Sequence, residues 1–231
     1  MAVFNIKIVS DVVCPFCYIG KKRLERAISV YKKTVPGGDQ DTFNISWHPF
    51  YLDPTSPNVG IPIRTHIARK FGPERVPMMQ ARMVAMGEPE GINFTWGGKI
   101  GNTRNAHRLV QLAKTKSTET EDKVMTELFK SYFEGSGDVT SQGMLVDAGE
   151  KAGLNRAEIK TWLDEGKGGE EVDREVEEAY AKGISGVPDF TINDRYQVHG
   201  AQDVEAFLIE FVRAKDSSSN GSAKSGKGFS C

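Results

Sequence analysis

Apolar and polar positions divide the chain into β-patterned ends and a helical middle. Residues 4–9 form a run of apolar and β-branched side chains that ends at Ser10, which is typical of a buried strand. From Tyr18 onward, apolar residues recur at three- and four-residue spacing until a Pro-Gly-Gly stop at 36–38, which predicts an amphipathic helix. Residues 43–48 alternate between apolar and polar, which predicts a second strand. The chain is thus expected to begin as strand, helix and strand.

Helical spacing dominates the middle of the chain, from about residue 64 to residue 167, and no comparable strand pattern interrupts it. The β pattern returns after a predicted helix at 170–181, where two short strands flank a turn and precede a last helix from Gln202 to Val212. Elements of one sheet are therefore expected to flank a helical insert. The helices predicted inside the insert span 76–86, 105–113, 121–133, 142–151 and 157–163, and the two late strands span 190–192 and 196–198.

These patterns predict an α/β chain of four segments. Residues 1–56 and 169–215 are the two halves of one sheet-containing domain, and residues 57–168 are an all-helical insertion. Residues 216–231 are rich in Ser, Gly and Lys with almost nothing to bury, so we expect a disordered tail. At 231 residues the chain suits one sizeable core, or a small domain carrying a large insertion.

Charge and hydropathy exclude several classes of partner. A formal net charge of -1 provides no long-range field that would gather nucleic acid or an anionic membrane. No apolar stretch approaches the roughly 20 residues needed to span a bilayer. The first residues enter a strand-like run without the pattern of a secretory signal, so we expect a cytoplasmic protein. A compact protein or a small molecule is the expected partner.

Two of the 3 cysteines stand in the run Cys14-Pro15-Phe16-Cys17, at the predicted start of the first helix. Unpaired backbone N–H groups and the helix dipole stabilise a thiolate at such a position, and the thiolate is the reactive form. A second sulfur one turn away can resolve a mixed disulfide. We therefore predict that Cys14 is the nucleophile and Cys17 the resolving cysteine. Pro15 suits the first helical turn, Phe16 presents an apolar edge beside the sulfurs, and both are candidate substrate contacts.

Two other interpretations of the cysteine pair stay open. The pair is half of a zinc site, or it consists of two inert buried thiols. Zinc needs two further ligands, and the remaining candidates are scattered without ligand-like spacing, so no metal site is expected. Those candidates are His48, His66, His107, His199 and Cys231.

A proline stands where the returning strand begins, in Gly186-Val187-Pro188. Base rates alone favour a trans proline that merely starts a strand. Together with the early Cys-x-x-Cys and the predicted sheet elements, however, this placement resembles the layout of the thioredoxin superfamily. There the residue before a cis proline offers its backbone to the substrate, which makes Val187 and Pro188 candidate substrate contacts.

Longer stretches resemble the DsbA-type branch of that superfamily, and most closely its FrnE-like oxidoreductases. The resemblance covers about residues 4–213 and implies a thioredoxin-like fold with an all-helical domain inserted between the second strand and the cis-proline half. It also implies disulfide chemistry at Cys14 and a cis peptide before Pro188. The matching runs are SDVVCPFCYIGK at 10–21, NTRNAHRL at 102–109, GISGVP at 183–188 and GAQ at 200–202.

Relatives with a different activity share this architecture. Kappa-class glutathione transferases and 2-hydroxychromene-2-carboxylate isomerases usually carry a serine where Cys14 stands and lack the second cysteine. Both sulfurs here favour redox turnover, although a glutathione-binding cleft is compatible with the resemblance. If glutathione binds, the resemblance places it along the backbone of Val187 and at a helix start at Gln202. Asp189 departs from the family, which commonly has a bulky apolar residue after the proline.

Three further polar residues are candidates with structural alternatives. By resemblance, Asn102 and His107 face the active site from the insert, where either would orient substrate. A lone histidine on an amphipathic helix is also commonly a buried, hydrogen-bonded side chain. Asp11 lies close to Cys14 in sequence, where it either relays a proton or caps the turn.

The function expected from the sequence is thiol–disulfide oxidoreduction, as a reductase or isomerase, on a disulfide-containing peptide, a protein or a small thiol. No tightly bound cofactor is expected, and glutathione is an optional co-substrate. A homodimer is compatible with these expectations. The alternative function is a glutathione-dependent isomerase or transferase that acts on a small aromatic or polyketide-like metabolite.

Overall fold

A four-stranded mixed sheet forms the centre of the fold. The computed structural model describes residues 1–222, with side chains as far as residue 217. The strand order is β2-β1-β5-β6. β1 runs parallel to β2 with Val3 beside Thr42, and antiparallel to β5, which in turn pairs antiparallel with β6. The strands are β1 (Val3–Ser10), β2 (Thr42–Pro49), β5 (Asp189–Ile192) and β6 (Tyr196–His199).

The alternating pattern of β1 decides where the main core lies. Phe4, Ile6 and Ile8 are buried, whereas the residues between them are exposed. The apolar side chains of β1 therefore lie on one face of the sheet. Helices α1 (Pro15–Thr34) and α9 (Val204–Ser222) contact each other. The ring centroids of Tyr31 on α1 and Phe211 on α9 each lie 5.4 Å from the centroid of the Phe4 ring. Tyr31 and Phe211 also contact each other edge-on, so the three rings form one aromatic cluster.

The helical insert lies between β2 and β5 in the chain, as predicted. Side-chain oxygens of Ser117, Ser141 and Asn155 accept hydrogen bonds from backbone N–H groups in the first turns of α5, α6 and α7, so the sequence itself marks where these helices start. The insert holds α2 (Ile63–Phe71), α3 (Val76–Gly87), α4 (Arg104–Lys114), α5 (Thr118–Phe129), a π-helical turn (Lys130–Glu134), α6 (Gln142–Lys151) and α7 (Arg156–Asp164), and α8 (Gly169–Ala181) follows it.

Polar contacts fasten the insert to the first helix and to the second strand. The Tyr18 hydroxyl donates to Glu134 at 2.5 Å, and the Trp47 indole N–H donates to Asp122 at 3.0 Å. Lys21 is buried and bonded to both Glu25 and Asp122. These contacts place the insert directly behind the N-terminal half of α1.

The predicted fold class is confirmed: the chain is an α/β thioredoxin-like fold with a helical domain inserted in the sheet. Three local expectations need correction. Helix α2 was absent from the predicted helices, because its apolar positions begin directly after Pro62. A two-residue pairing of β3 (Ile61–Pro62) with β4 (Lys99–Ile100) interrupts the helical middle, and it is too short to leave a periodic signal. Helix α9 begins at Val204, not at Gln202.

Helix α9 also runs to Ser222, so residues 216–222 of the predicted tail are helical. The rest of that predicted tail, residues 223–231, lies outside the described residues, as does Cys231. Among residues 1–222, none of the helices combines the length and the apolar character that a bilayer-spanning segment needs.

Candidate active site

Cys14 and Cys17 flank the first turn of helix α1. Cys14 is the N-cap residue in an extended conformation, and Pro15 occupies the first helical position, where its missing N–H leaves no bond unmade. The Cys14 carbonyl accepts the Cys17 N–H at 3.1 Å, and the Cys14 N–H donates to the Asp11 carbonyl at 3.0 Å. Both cysteines are free thiols. The two sulfur-bearing residues are thereby held one turn apart at a helix start.

The two thiols differ in their surroundings. Cys17 is completely buried, and Cys14 retains 2% of its surface. Burial raises the pKa of the Cys17 thiol well above its ordinary value, and the neighbouring Cys14 raises it further. The Ser10 hydroxyl and the Asp11 backbone act against this rise. Cys17 is therefore an inner thiol that stays protonated near neutral pH.

The returning strand brings a backbone carbonyl to Cys14. The Val187–Pro188 peptide bond is cis. The Cys14 sulfur donates a hydrogen bond to the Val187 carbonyl at 3.5 Å, across 173 residues of chain. The predicted substrate contacts Val187 and Pro188 therefore lie beside the Cys14 sulfur. The Phe16 side chain, between the two cysteines in the chain, is 36% exposed.

Gly20 allows helix α1 to approach this proline closely. A Cβ atom at Gly20 would lie 3.0 Å from Cζ of Phe190 and 3.1 Å from Cγ of Pro188, tighter than ordinary van der Waals contact. The sequence analysis did not single out Gly20. Its signal was a glycine inside a predicted amphipathic helix, which favours a packing reason for the missing side chain.

Asp189, the residue after the proline, is buried and paired with His199 on β6. The Gly200 N–H donates to the Pro188 carbonyl at 2.8 Å, so β6 and the proline are also joined through backbone. A cleft of about 840 Å³ opens beside this pair. Its wall includes Lys182, Ser185, Gly186, Val187, Asp189 and His199.

By resemblance, His107 was expected to face the active site from the insert. It is buried on α4, and its Nε2 atom lies 3.6 Å from Oδ1 of Asp11. The structure shows the buried histidine of the alternative interpretation, and contact of His107 with a substrate stays a prediction. Asp11 is also buried, and its Oδ2 atom accepts the Leu52 N–H at 2.9 Å.

Two other predicted contacts have local hydrogen bonds. The Asn102 side chain accepts the Arg104 N–H at 2.9 Å, next to the start of α4. Gln202 precedes helix α9, and its amide donates to the His199 carbonyl at 2.9 Å, so its predicted place at a helix start is wrong. Contact of either residue with a substrate stays a prediction.

The structure adds polar residues that the sequence analysis missed. Arg104 forms two hydrogen bonds to Asp173, at 2.8 and 2.7 Å. The Tyr51 ring lies 5.9 Å from the His107 ring, and its hydroxyl reaches Asp173 at 3.5 Å. These residues come from a loop, α4 and α8, so only the tertiary fold brings them together.

Within residues 1–222, no group of three or more His, Cys, Asp or Glu side chains is arranged to hold a metal ion. Helix α4 with His107, helix α2 with His66 and strand β6 with His199 are separate elements. The described part of the chain thus offers Cys14 and Cys17 no such set of metal ligands.

Comparison with known proteins points to one family. The chain is 30% identical over 208 residues to the uncharacterized protein YwbO of Bacillus subtilis (strain 168), covering 88% of this chain and 93% of that protein. A probable DsbA oxidoreductase from Streptomyces coelicolor superposes with a TM-score of 0.82 at 26% identity, covering 99% of this chain and 93% of that one.

More distant structures share the fold. A 2-hydroxychromene-2-carboxylate isomerase matches with a TM-score of 0.65 at 14% identity over 96% of this chain and 100% of its own. The cytosolic disulfide reductase DsbM from Pseudomonas aeruginosa matches with a TM-score of 0.60 at 14% identity, over 90% and 98%. The family model of the DSBA-like thioredoxin domain matches residues 5–211, a range that includes the insert, the cysteine pair and nearly all of the sheet. The protein is therefore a member of the DSBA-like thioredoxin family.

Proposed function

We propose that this protein is a thiol–disulfide oxidoreductase that reduces or isomerises disulfides, with Cys14 as the nucleophile and Cys17 as the resolving cysteine. The observation that carries the proposal is the placement of two free thiols one turn apart at the start of α1, with the Cys14 sulfur 3.5 Å from the Val187 carbonyl. The outer thiol is the one beside the backbone that a substrate would meet.

The chemistry follows from this asymmetry. The Cys14 thiolate attacks a substrate disulfide, a Cys14–substrate disulfide forms, and the other substrate sulfur leaves as a thiolate that takes up a proton. Cys17 then loses its proton and attacks the Cys14 sulfur. The intramolecular disulfide closes and the second substrate thiolate is released. Two electrons pass from the cysteine pair to the substrate.

The substrate proposed is a disulfide-containing peptide or protein, or a small disulfide. An extended peptide would pair with the Val187 backbone, because extended segments bind through main-chain hydrogen bonds to an exposed strand end. Phe16, exposed beside the sulfurs, supplies an apolar contact. Pro188, Asn102 and Gln202 remain proposed substrate contacts at the border of this surface.

We place the protein in the cytoplasm and its activity on the reducing side. A cytosolic glutathione pool keeps most such pairs in the dithiol form, so reduction and isomerisation are favoured over net oxidation. Glutathione is then a co-substrate that returns the Cys14–Cys17 disulfide to the dithiol. The cytosolic disulfide reductase of Pseudomonas aeruginosa shares the fold, and its structure with GSH is compatible with that role here.

Insulin reduction with a thiol reductant tests the proposal. Cys14→Ser should lower the rate at least about 100-fold, since it removes the nucleophile. Cys17→Ala should accumulate a mixed disulfide that mass spectrometry identifies at Cys14. The matched control is Cys231→Ser, which should keep the wild-type rate. Unchanged reduction by Cys14→Ser would overturn the proposal. Tight glutathione binding with catalysis that survives Cys17→Ala would favour the isomerase or transferase alternative.

A further inference from the structure

Four buried polar atoms at and around Asp11, near Cys17, have no hydrogen-bond partner. They are Ser10 Oγ, Asp11 Oδ1, His107 Nε2 and the Tyr132 hydroxyl. Leaving a buried polar group unpaired costs about 1–3 kcal/mol, so a cluster of such atoms needs a reason. Ser10 and Asp11 end β1, His107 comes from α4, and Tyr132 comes from the π-helical turn.

This cluster borders the inner thiol. The Ser10 hydroxyl and the Asp11 backbone both lower the pKa of Cys17 against the larger effect of burial, so both are close enough to act on its sulfur. The Asp11 carbonyl accepts the Cys14 N–H at 3.0 Å, which ties Asp11 to the turn that holds both cysteines. Asp11 therefore connects the cysteine pair with His107.

Asp11 and His107 are arranged to share a proton. Their facing atoms, Oδ1 and Nε2, are 3.6 Å apart, slightly too far for a hydrogen bond, and their side chains are only 2% and 4% exposed. The other carboxylate oxygen is fixed by the Leu52 N–H. A proton placed between Oδ1 and Nε2 would satisfy both unpaired atoms. Histidine is suited to this, because its ordinary pKa lies near neutrality.

We infer that Asp11 and His107 form a buried pair that takes up the Cys17 proton when the mixed disulfide is resolved. This inference rests on the proposed function. The proposed function does not say which group accepts the Cys17 proton, and the inference assigns that group. The proton leaves the Cys17 thiol and is held on His107 against the Asp11 carboxylate. The Cys17 thiolate then displaces the substrate thiolate from Cys14. When the disulfide is reduced again, the proton returns to Cys17.

His107 and Asp11 act through Cys17 and are positioning residues. His107 belongs to the insert, whereas both cysteines belong to the sheet domain, so the insert would take part in the chemistry as well as in the shape of the cleft. The insert is joined to the sheet domain by the contacts of Tyr18 with Glu134 and of Trp47 with Asp122.

Several titratable groups face this pair. Burial raises the pKa of the tyrosines on three packed elements, and the Asp11 charge raises each further: Tyr51 after β2, Tyr132 in the π-helical turn, and Tyr180 on α8. All three tyrosines are neutral at physiological pH, since even the ordinary tyrosine pKa is about 10. Arg104 and Asp173 bond to each other beside Tyr51. Near neutral pH, Cys17 and the Asp11–His107 pair are then the groups that exchange the proton.

The test separates the two steps of the reaction by rapid mixing. Attack by Cys14 is measured in the Cys17→Ala background, and resolution is measured with both cysteines present. His107→Gln and Asp11→Asn should each slow resolution near neutral pH by about 10- to 100-fold. Each should also move the pH dependence of resolution upward by about one unit or more. Attack by Cys14 should stay within about twofold, since neither side chain contacts a reacting atom in that step.

The control is His66→Gln, the same chemical change on α2, which should leave both steps unchanged. An unaltered pH profile in His107→Gln, or equal losses in both steps, would overturn the inference. Absence of any mixed disulfide in the Cys17→Ala protein would instead overturn the proposed function. These two failures are therefore distinguishable.

A measurement on the wild-type protein keeps the inference testable if the variants do not fold. The histidine ring signals are followed by NMR against pH in the dithiol and disulfide forms. The His107 midpoint should differ between the two forms by about one unit, because its proton is linked to Cys17. An identical His107 titration in both forms would rule the linkage out.

Discussion

Asp189 and His199 face each other across β5 and β6, with Oδ2 of the buried aspartate 2.5 Å from Nδ1 of the histidine. The aspartate directly follows the cis Pro188, whose carbonyl accepts the Gly200 N–H. Asp189, which stands where the family commonly has an apolar residue, therefore has a structural use: it ties the edge strand β6 to the loop that carries the cis proline.

Removing either partner of this pair should destabilise the protein. We expect Asp189→Asn and His199→Gln to be non-additive, with a coupling energy of about 1 kcal/mol, because the carboxylate is buried while the histidine is largely solvated. Urea unfolding of the two single variants and the double variant measures this coupling. Strict additivity would show that the contact contributes nothing.

Gly20→Ala should damage the active site more than a methyl group normally does in a helix. The added Cβ would press on Phe190 and Pro188 and displace the loop that carries Val187. We expect a loss of about 1–2 kcal/mol in unfolding free energy and a several-fold lower reduction rate. Gly143→Ala in α6, where the nearest atom would be 3.5 Å away, is the control. It should be neutral or stabilising. Equal behaviour of the two variants would refute this explanation of Gly20.

Tyr18→Phe should loosen the insert from helix α1. The substitution keeps the ring, which stacks on Phe129 with centroids 5.1 Å apart, and removes only the hydrogen bond to Glu134. We expect a loss of about 1–3 kcal/mol, as for a buried hydrogen bond to a charged group. Hydrogen exchange should report faster opening around 130–134. Wild-type exchange rates at residues 130–134 would show that the Tyr18–Glu134 hydrogen bond does not hold the insert against α1.

Glu121 should make the protein less stable as the pH rises. Burial raises its pKa to about 7 from an ordinary 4.5, although the Trp47 N–H and Lys114 oppose this. The carboxyl therefore favours the folded state while it is protonated, below about pH 4.5, and this contribution is lost as the pH rises through about 7. Glu121→Gln keeps an oxygen for the Trp47 N–H. It should stabilise the protein by about 1–2 kcal/mol above pH ~8 and change little near pH ~4.5.

Glu175→Gln is the matched control, because the pKa of Glu175 is shifted in the opposite direction to that of Glu121. Burial raises the pKa of Glu175, but the hydrogen bond from His48, the Lys114 charge and other donors outweigh it and hold the pKa at about 2. Its stabilising effect is present above the ordinary pKa and is lost as the pH falls toward 2. Glu175→Gln should thus destabilise at neutral pH. Urea midpoints across pH for both variants check the two signs, and parallel profiles would refute them.

The elements themselves were predictable because they follow from local periodicity. The run of apolar and β-branched residues at 4–9 was sufficient to place β1, and the three- and four-residue spacing after Tyr18 placed α1. Helix α6 was predicted with its observed bounds from the helical spacing of its apolar residues, and the structure shows Ser141 capping its start. Helix α2 was missed because it begins directly after Pro62. The start of α9 was placed two residues early, at Gln202, because helix ends depend on capping contacts that periodicity does not show.

The sequence by itself determined the order of the elements, the helical insert and the position of Cys14 and Cys17 at a helix start, because each of these is written in residues close together in the chain. Only the tertiary structure decided that Cys14 faces Val187, that Asp189 pairs with His199, and that His107 is buried against Asp11. These contacts join different elements, and packing sets their distances to a precision that no spacing along the chain can supply. Burial, which also depends on the tertiary structure, raises the pKa of the Cys17 thiol.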